Sequence, residues 1–345
     1  MKSPMPLGPL MIDINGIELS AVDRDILKHP LVGGVILFSR NYESKEQVSV
    51  LCDEIHALRE NPLLVAVDHE GGRVQRFRAE FTSIPSMQHL GECYELNHEK
   101  GLESASAIAW LMAAELRQVG VDFSFAPVLD IDYGCSEVIG DRAFSTNKKV
   151  VAVLAEAFHR GLMAAGMAAV GKHFPGHGAV APDSHVAIPV DKRSLDEITQ
   201  EDIYPFKQLI QAGIKGVMPA HVIYDQVDDL PAGFSEIWLQ KVLRHQLGFQ
   251  GAIFSDDLTM QGASVIGDYE QRAQQALKAG GDMALICNNR SAAEQVIDGL
   301  GEVKQGASSI QRLENMRPTQ WSTHPPLHES DKWLKAMAII ENLSA

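Results

Sequence analysis

A chain of 345 residues, 45% hydrophobic and 22% charged, has ordinary globular composition and ample length for a large core, which excludes a disordered or low-complexity chain. The formal net charge of -15 sets the mean field against a phosphate backbone or an anionic bilayer, and so excludes nucleic acid and membrane surfaces as partners. The four cysteines, Cys52, Cys93, Cys135 and Cys287, form no C-x-x-C pair and predict reduced, packed thiols rather than a disulfide framework.

In chain order, residues 1–10 hold one lysine and three prolines and run straight into an apolar segment with no signal-peptide h-region, which predicts a cytoplasmic protein. Short apolar runs that read as buried strands follow at 10–14, 34–38, 63–67, 123–129, 168–172, 216–219, 252–254 and 283–287. Between them lie stretches with helical spacing. Ser44 with Gln47, Ser194 with Glu197, and Ser291 with Glu294 predict capping boxes, in which two orphan amides are satisfied reciprocally. Gly120, Gly166, Gly213, Gly248 and Gly280 stand where a left-handed residue ends a helix cheaply. The least polar of the long stretches, 161–171, is far short of the roughly 20 residues a bilayer span needs.

Eight strands alternating with helices predict an α/β fold, a single (β/α)8 TIM-type barrel over 1–345, with a C-terminal tail from about residue 307 packed on its outside. A doubly wound open sheet is the structural alternative. The strand runs end on polar groups: Asp13, Arg40, Asp68, Asp130, Lys172 with His173, His221, Asp256 and Asn288. Strand C-termini of a barrel share one face, where active sites assemble, so the chemistry should converge there. Helix capping is the competing explanation for the Asp and Asn positions, but it does not account for Arg40, Lys172, His173 or His221.

Three clusters carry the titratable groups. G-K-H-F-P-G-H-G at 171–178, followed by Asp183-Ser184-His185, must be a loop because its Pro and Gly break any helix. Phe254-Ser255-Asp256-Asp257-Leu258 places carboxylates at a strand end, fit for a nucleophile, a metal ligand or a cap. D-H-E-G-G-R-V-Q-R-F at 68–77 combines glycines that let a ligand approach the backbone with charged groups suited to sugar hydroxyls.

Together with G-G-V-I-L-F-S-R-N at 33–41, F-A-P-V-L-D at 125–130 and M-P-A-H at 218–221, these segments resemble glycoside hydrolase family 3, and within it the short, single-domain NagZ-type β-N-acetylglucosaminidases. The resemblance spans almost the whole chain. It implies a retaining exo-β-N-acetylglucosaminidase without metal or cofactor, acting on GlcNAc-1,6-anhydro-MurNAc peptides in peptidoglycan recycling, so the partner is a small saccharide or muropeptide and the protein a monomer. Residue by residue, it implies Asp256 as nucleophile, His185 as acid/base oriented by Asp183, and Asp68, Arg76, Arg142, Lys172 and His173 as ligands of the terminal sugar's hydroxyls. His177 and His221 are assigned only to shaping the pocket. His69 stands where the family usually has Gln, which leaves fine substrate contacts open. A histidine suits acid/base work because its ordinary pKa lies near neutral pH, and an adjacent carboxylate can stabilise the imidazolium. Rival readings are a metal-dependent barrel hydrolase in which His173, His177, His185, His221 and Asp256 converge on zinc, a phosphorylase with phosphate as acceptor, and a non-catalytic sugar-binding protein.

Overall fold

The structure, a computed structural model, describes residues 5–181, 184, 188–301, 305–319 and 326–344. The predicted tail begins among these, but part of it, like the loop residues Asp183 and His185, lies outside the described residues.

Eight parallel strands close into a barrel: β1 (Leu10–Asp13), β2 (Val32–Leu37), β3 (Leu64–Val67), β4 (Phe123–Ser124), β5 (Ala168–Phe174), β6 (Gly216–Pro219), β7 (Ala252–Asp257) and β8 (Met283–Ile286). Each pairs with its neighbours in sequence, and β1 closes the ring on β8 through Leu10↔Ala284 to Ile12↔Ile286. The protein is therefore a (β/α)8 barrel and not an open doubly wound sheet. The strands form here because their runs are apolar on both faces, one filling the barrel and the other covered by helices. Phe123, Phe125 and Phe254 meet across the interior with ring centroids 5.3–5.5 Å apart.

All eight predicted strands exist, but the fourth is shorter than its apolar run. Pro127 has no amide to give the ladder, so regular pairing stops at Ser124, and the chain continues beside β5 through separate bonds such as Leu129 N to Lys172 O (2.6 Å). Pairing also slips in β5 between Lys172 and Phe174 and in β7 between Phe254 and Asp257. Such irregularities re-aim side chains at a barrel rim, and both fall on candidate site residues.

All five predicted helix-stop glycines have positive φ, from 72° to 115°. Of the capping boxes, Ser194 and Glu197 form one. Ser44 caps the helix Lys45–Ala57, but Gln47 turns back to the amide of Glu43 (2.8 Å). Ser291 is no cap at all: Asn289 begins the helix Arg290–Gly299 and accepts from Ala292 N (3.0 Å), leaving Ser291 inside the first turn. Asn is as good a cap as Ser, and the earlier one prevails. At the C-terminal end the helix Asp331–Ser344 lies against His98–Gln118, with Ala336 fully buried and Lys335 paired to Glu103 (2.5 Å). Among the described residues no helix is long and apolar enough to cross a membrane.

Candidate active site

A cavity of about 660 Å³ opens at the C-terminal ends of the strands. Asp68, Arg76, Arg142, Lys172, His173 and Asp256 all line it, so six of the eight candidate residues converge although they come from four separate stretches of chain. Asp183 and His185 lie outside the described residues; Ala181 and Ser184, on either side of Asp183, line the cavity.

Asp68 follows β3 directly, and Arg76 reaches back to it over a small hairpin, His69–Gly71 with Val74–Gln75. Gly71 makes that hairpin possible: its φ is 113°, and a Cβ there would stand 2.5 Å from the carbonyl oxygen of Pro85. Arg76 Nη2 then lies 3.4 Å from Asp68 Oδ2. Lys172, near the end of β5, donates to Asp68 Oδ1 (2.9 Å) and also to Glu70 Oε1 (2.6 Å). Arg142 grips Glu70 with two bonds, Nε to Oε2 and Nη2 to Oε1, both 2.8 Å. Next to this cluster, Asp130 Oδ2 lies 2.7 Å from His173 Nδ1, and Asp130 Oδ1 accepts the amide of His177 (2.7 Å). That bond leaves His173 Nε2 on the Arg142 side, 3.5 Å from Nη2.

These pairings set the charge states. Burial pushes the Asp68 carboxyl up, but Lys172 and Arg76 outweigh it and hold it below the usual carboxylate range. Burial acts in the same way on Glu70, and Arg142 and Lys172 pull it further down. The Lys172 ammonium is raised despite burial because Asp68 and Glu70 face it. Arg76, Lys172 and Arg142 thus stand fixed against Asp68 and Glu70 in a wall rich in hydrogen-bonding groups, which suits sugar hydroxyls. Apolar side chains of Phe38, Phe125, Met218 and Met260 line the rest.

Asp256 ends β7 on the same cavity, its Oδ1 accepting the amide of Asp257 (2.8 Å). His177 lines the cavity, with Nε2 3.2 Å from Ser184 Oγ, and burial lowers its pKa. His221 is fully buried behind the wall, stacked on Phe234, with Nε2 3.1 Å from the carbonyl oxygen of Asp257. His69 belongs to the core instead: its ring packs on Phe77 and Phe81, and burial lowers its pKa to about 3, so the departure from the family's Gln does not touch the cavity lining.

Sequence reasoning missed Glu70, Asp130 and Asp257 as site residues. Glu70 stood in a quoted motif two residues from Asp68, Asp130 at a strand end, and Asp257 next to Asp256. Among the described residues no cluster of three or more His, Cys, Asp or Glu forms a metal site.

Known proteins share the sequence and the fold. Residues 10–317 match the glycosyl hydrolase family 3 N terminal domain. A β-hexosaminidase of Thioalkalivibrio sulfidiphilus is 55% identical over 339 residues, covering 98% of this chain and 97% of that protein. NagZ of Neisseria gonorrhoeae in complex with N-trifluoroacetyl-D-glucosamine superposes with a TM-score of 0.94 at 42% identity, covering 99% of both chains. The same enzyme in complex with zinc ion gives 0.92 at 41% identity, again over 99% of both chains.

Proposed function

The chain belongs to glycosyl hydrolase family 3, and within it we propose that it is a retaining exo-β-N-acetylglucosaminidase, removing terminal β-linked GlcNAc from GlcNAc-1,6-anhydro-MurNAc and its peptides during peptidoglycan recycling in the cytoplasm. The observation that carries the reading is the convergence of Asp256 with the Asp68–Lys172–Arg142 cluster on one barrel-mouth cavity. The β-hexosaminidase relative and the glucosamine derivative bound by the structural neighbour support the sugar; the muropeptide and the recycling role rest on family resemblance.

In this reading the hydroxyls of the terminal sugar bind to Asp68, Arg76, Arg142, Lys172 and His173, which are held in place before substrate arrives by bonds to one another and to Glu70 and Asp130. The Asp256 carboxylate attacks the anomeric carbon while His185 protonates the departing oxygen, giving a glycosyl-Asp256 ester and a free aglycone. His185 then takes a proton from water, which attacks the same carbon and releases Asp256; two inversions give net retention. Asp183 orients the imidazole and stabilises its charged form. A retaining pair stands about 5 to 5.5 Å apart.

The test is release of p-nitrophenol from its β-N-acetylglucosaminide by wild type and Asp256→Ala in EDTA, with the β-glucoside as control and product configuration followed by proton NMR. EDTA-resistant hydrolysis of the N-acetyl substrate alone, with a β-anomer first product and no activity in the variant, supports the retaining reaction, the sugar specificity and the nucleophile together. Loss of activity in EDTA supports the metal-dependent reading, which the zinc-bound neighbour keeps open. Phosphate-dependent formation of a sugar 1-phosphate supports a phosphorylase.

A further inference from the structure

Two aspartates end β7, and the reaction uses one. The other, Asp257, lines the same cavity, yet its carboxylate is turned inward on the chain. Its Oδ1 accepts the amides of Thr259 (2.9 Å) and Cys287 (3.1 Å). Its Oδ2 lies 2.8 Å from Thr259 Oγ1, which is itself 3.1 Å from the carbonyl oxygen of Cys287. These bonds replace regular pairing where β7 and β8 fall out of register, and Ser255 Oγ does the same one step earlier by accepting the amide of Leu285 (2.9 Å).

Proton counting decides the state of this bracket. The Thr259 hydroxyl has one proton and two acceptors in reach, Asp257 Oδ2 and Cys287 O. If Asp257 is ionised, one of the two goes without. If Oδ2 carries a proton, the chain Oδ2–H to Thr259 Oγ1, then Oγ1–H to Cys287 O, satisfies both. Taking the function proposed above as its premise, we propose that Asp257 is a positioning residue that works as a neutral acid, tying the end of β7 to β8 so that Asp256 is fixed and carries the pair's only negative charge.

The surroundings agree. Asp256 is on the same strand, His221 after β6 meets the backbone carbonyl of Asp257 rather than its carboxylate, and Cys287 after β8 is a buried thiol whose pKa burial raises far up. Arg272 of the helix Tyr269–Ala279 is the facing cation, and its guanidinium is committed to the carbonyls of Leu258 (2.8 Å) and Gly267 (2.9 Å). Among the described residues no ion pair reaches Asp257. Burial pushes its carboxyl up to about 6 even with the Thr259 hydroxyl donating to it. With that hydroxyl turned to Cys287, its share of the downward pull is gone, the amides of Thr259 and Cys287 keep theirs, and the proton is held harder than before.

The test is Asp257→Asn, whose amide matches the neutral acid, against Asp257→Ala, with Thr259→Val and Thr259→Ser as a second pair should Asp257→Ala not fold. The infrared carboxylic-acid band in the wild-type minus Asp257→Asn difference spectrum at pH 7 needs no substrate. The expected result is that this band is present. Asp257→Ala and Thr259→Val should lose about tenfold or more in kcat with a smaller change in KM. Asp257→Asn and Thr259→Ser should recover most of the loss, with the pH profile kept. A missing band, or an Asp257→Asn that folds and is as poor as Asp257→Ala, overturns the proposal. If the band is present but the wild type does not cleave the N-acetylglucosaminide, the functional reading fails and the protonated bracket stands.

Discussion

Replacing Glu70 by Gln tests the charge cluster at its centre. Glu70 is 2% exposed and accepts three bonds, two from Arg142 and one from Lys172. An amide oxygen placed at Oε1 keeps two of these, but its NH2 then meets Arg142 Nε, donor against donor. Removing one partner of a buried pair costs about 3–5 kcal/mol. An unfolding entropy of about 2 cal/mol/K per residue makes each kcal/mol worth roughly 1.4 °C in a chain this long, so Tm should fall by about 4 to 7 °C at pH 7. The pH dependence carries the sign. The folded carboxyl lies below its ordinary 4.5, so its contribution is full above that value and fades as pH falls further. The gap in Tm between wild type and variant, read by calorimetry from pH 7 to 3, should therefore stay constant down to about 4.5 and then narrow. A gap under 1 °C at pH 7, or one that does not narrow in acid, would refute the assigned coupling.

Two further outcomes separate the ends of the barrel. Asp282, just before β8 at the end away from the cavity, is 1% exposed and pairs with Arg244 (2.8 Å) and Arg312 (2.6 Å) while accepting the amide of Ile253 (2.8 Å). Asp282→Ala should lower Tm by an amount similar to Glu70→Gln yet leave kcat/KM within about twofold at 20 °C, because that end holds the fold rather than the substrate; a large loss of kcat/KM in folded protein would contradict the division. His185→Ala should slow a poor leaving group about 10²–10⁴-fold, and p-nitrophenol, which needs little protonation, much less. Equal slowing of both substrates in steady-state assays would remove His185 from the acid role.

The fold was legible because local patterns settle it: buried runs for β1 to β8 and a glycine with positive φ at each predicted helix stop. What was misjudged was a competition between nearby groups, as where Asn289 takes the cap expected of Ser291. In the site, motif resemblance reached Asp68, Lys172 and Asp256, and the cavity brings them together. It did not reach Glu70, whose partner Arg142 is 72 residues away, or Asp130, 43 residues from His173. Those charges are paired only once the barrel closes, and no spacing along the chain records which acid meets which base.

Closure of β1 on β8 also orders events in time. Leu10 pairs with Ala284, so the first strand waits for roughly 270 more residues, on the order of 10 to 60 s of synthesis, before its outer edge is covered. Throughout that interval Leu10, Met11 and Ile12, all fully buried at the end, belong to an open apolar edge of the kind that pairs with other chains. A nascent chain released before Ile286 would keep that edge, so truncated products should aggregate, and slow translation over the last third of the message should raise demand for chaperones more than the same delay near its start.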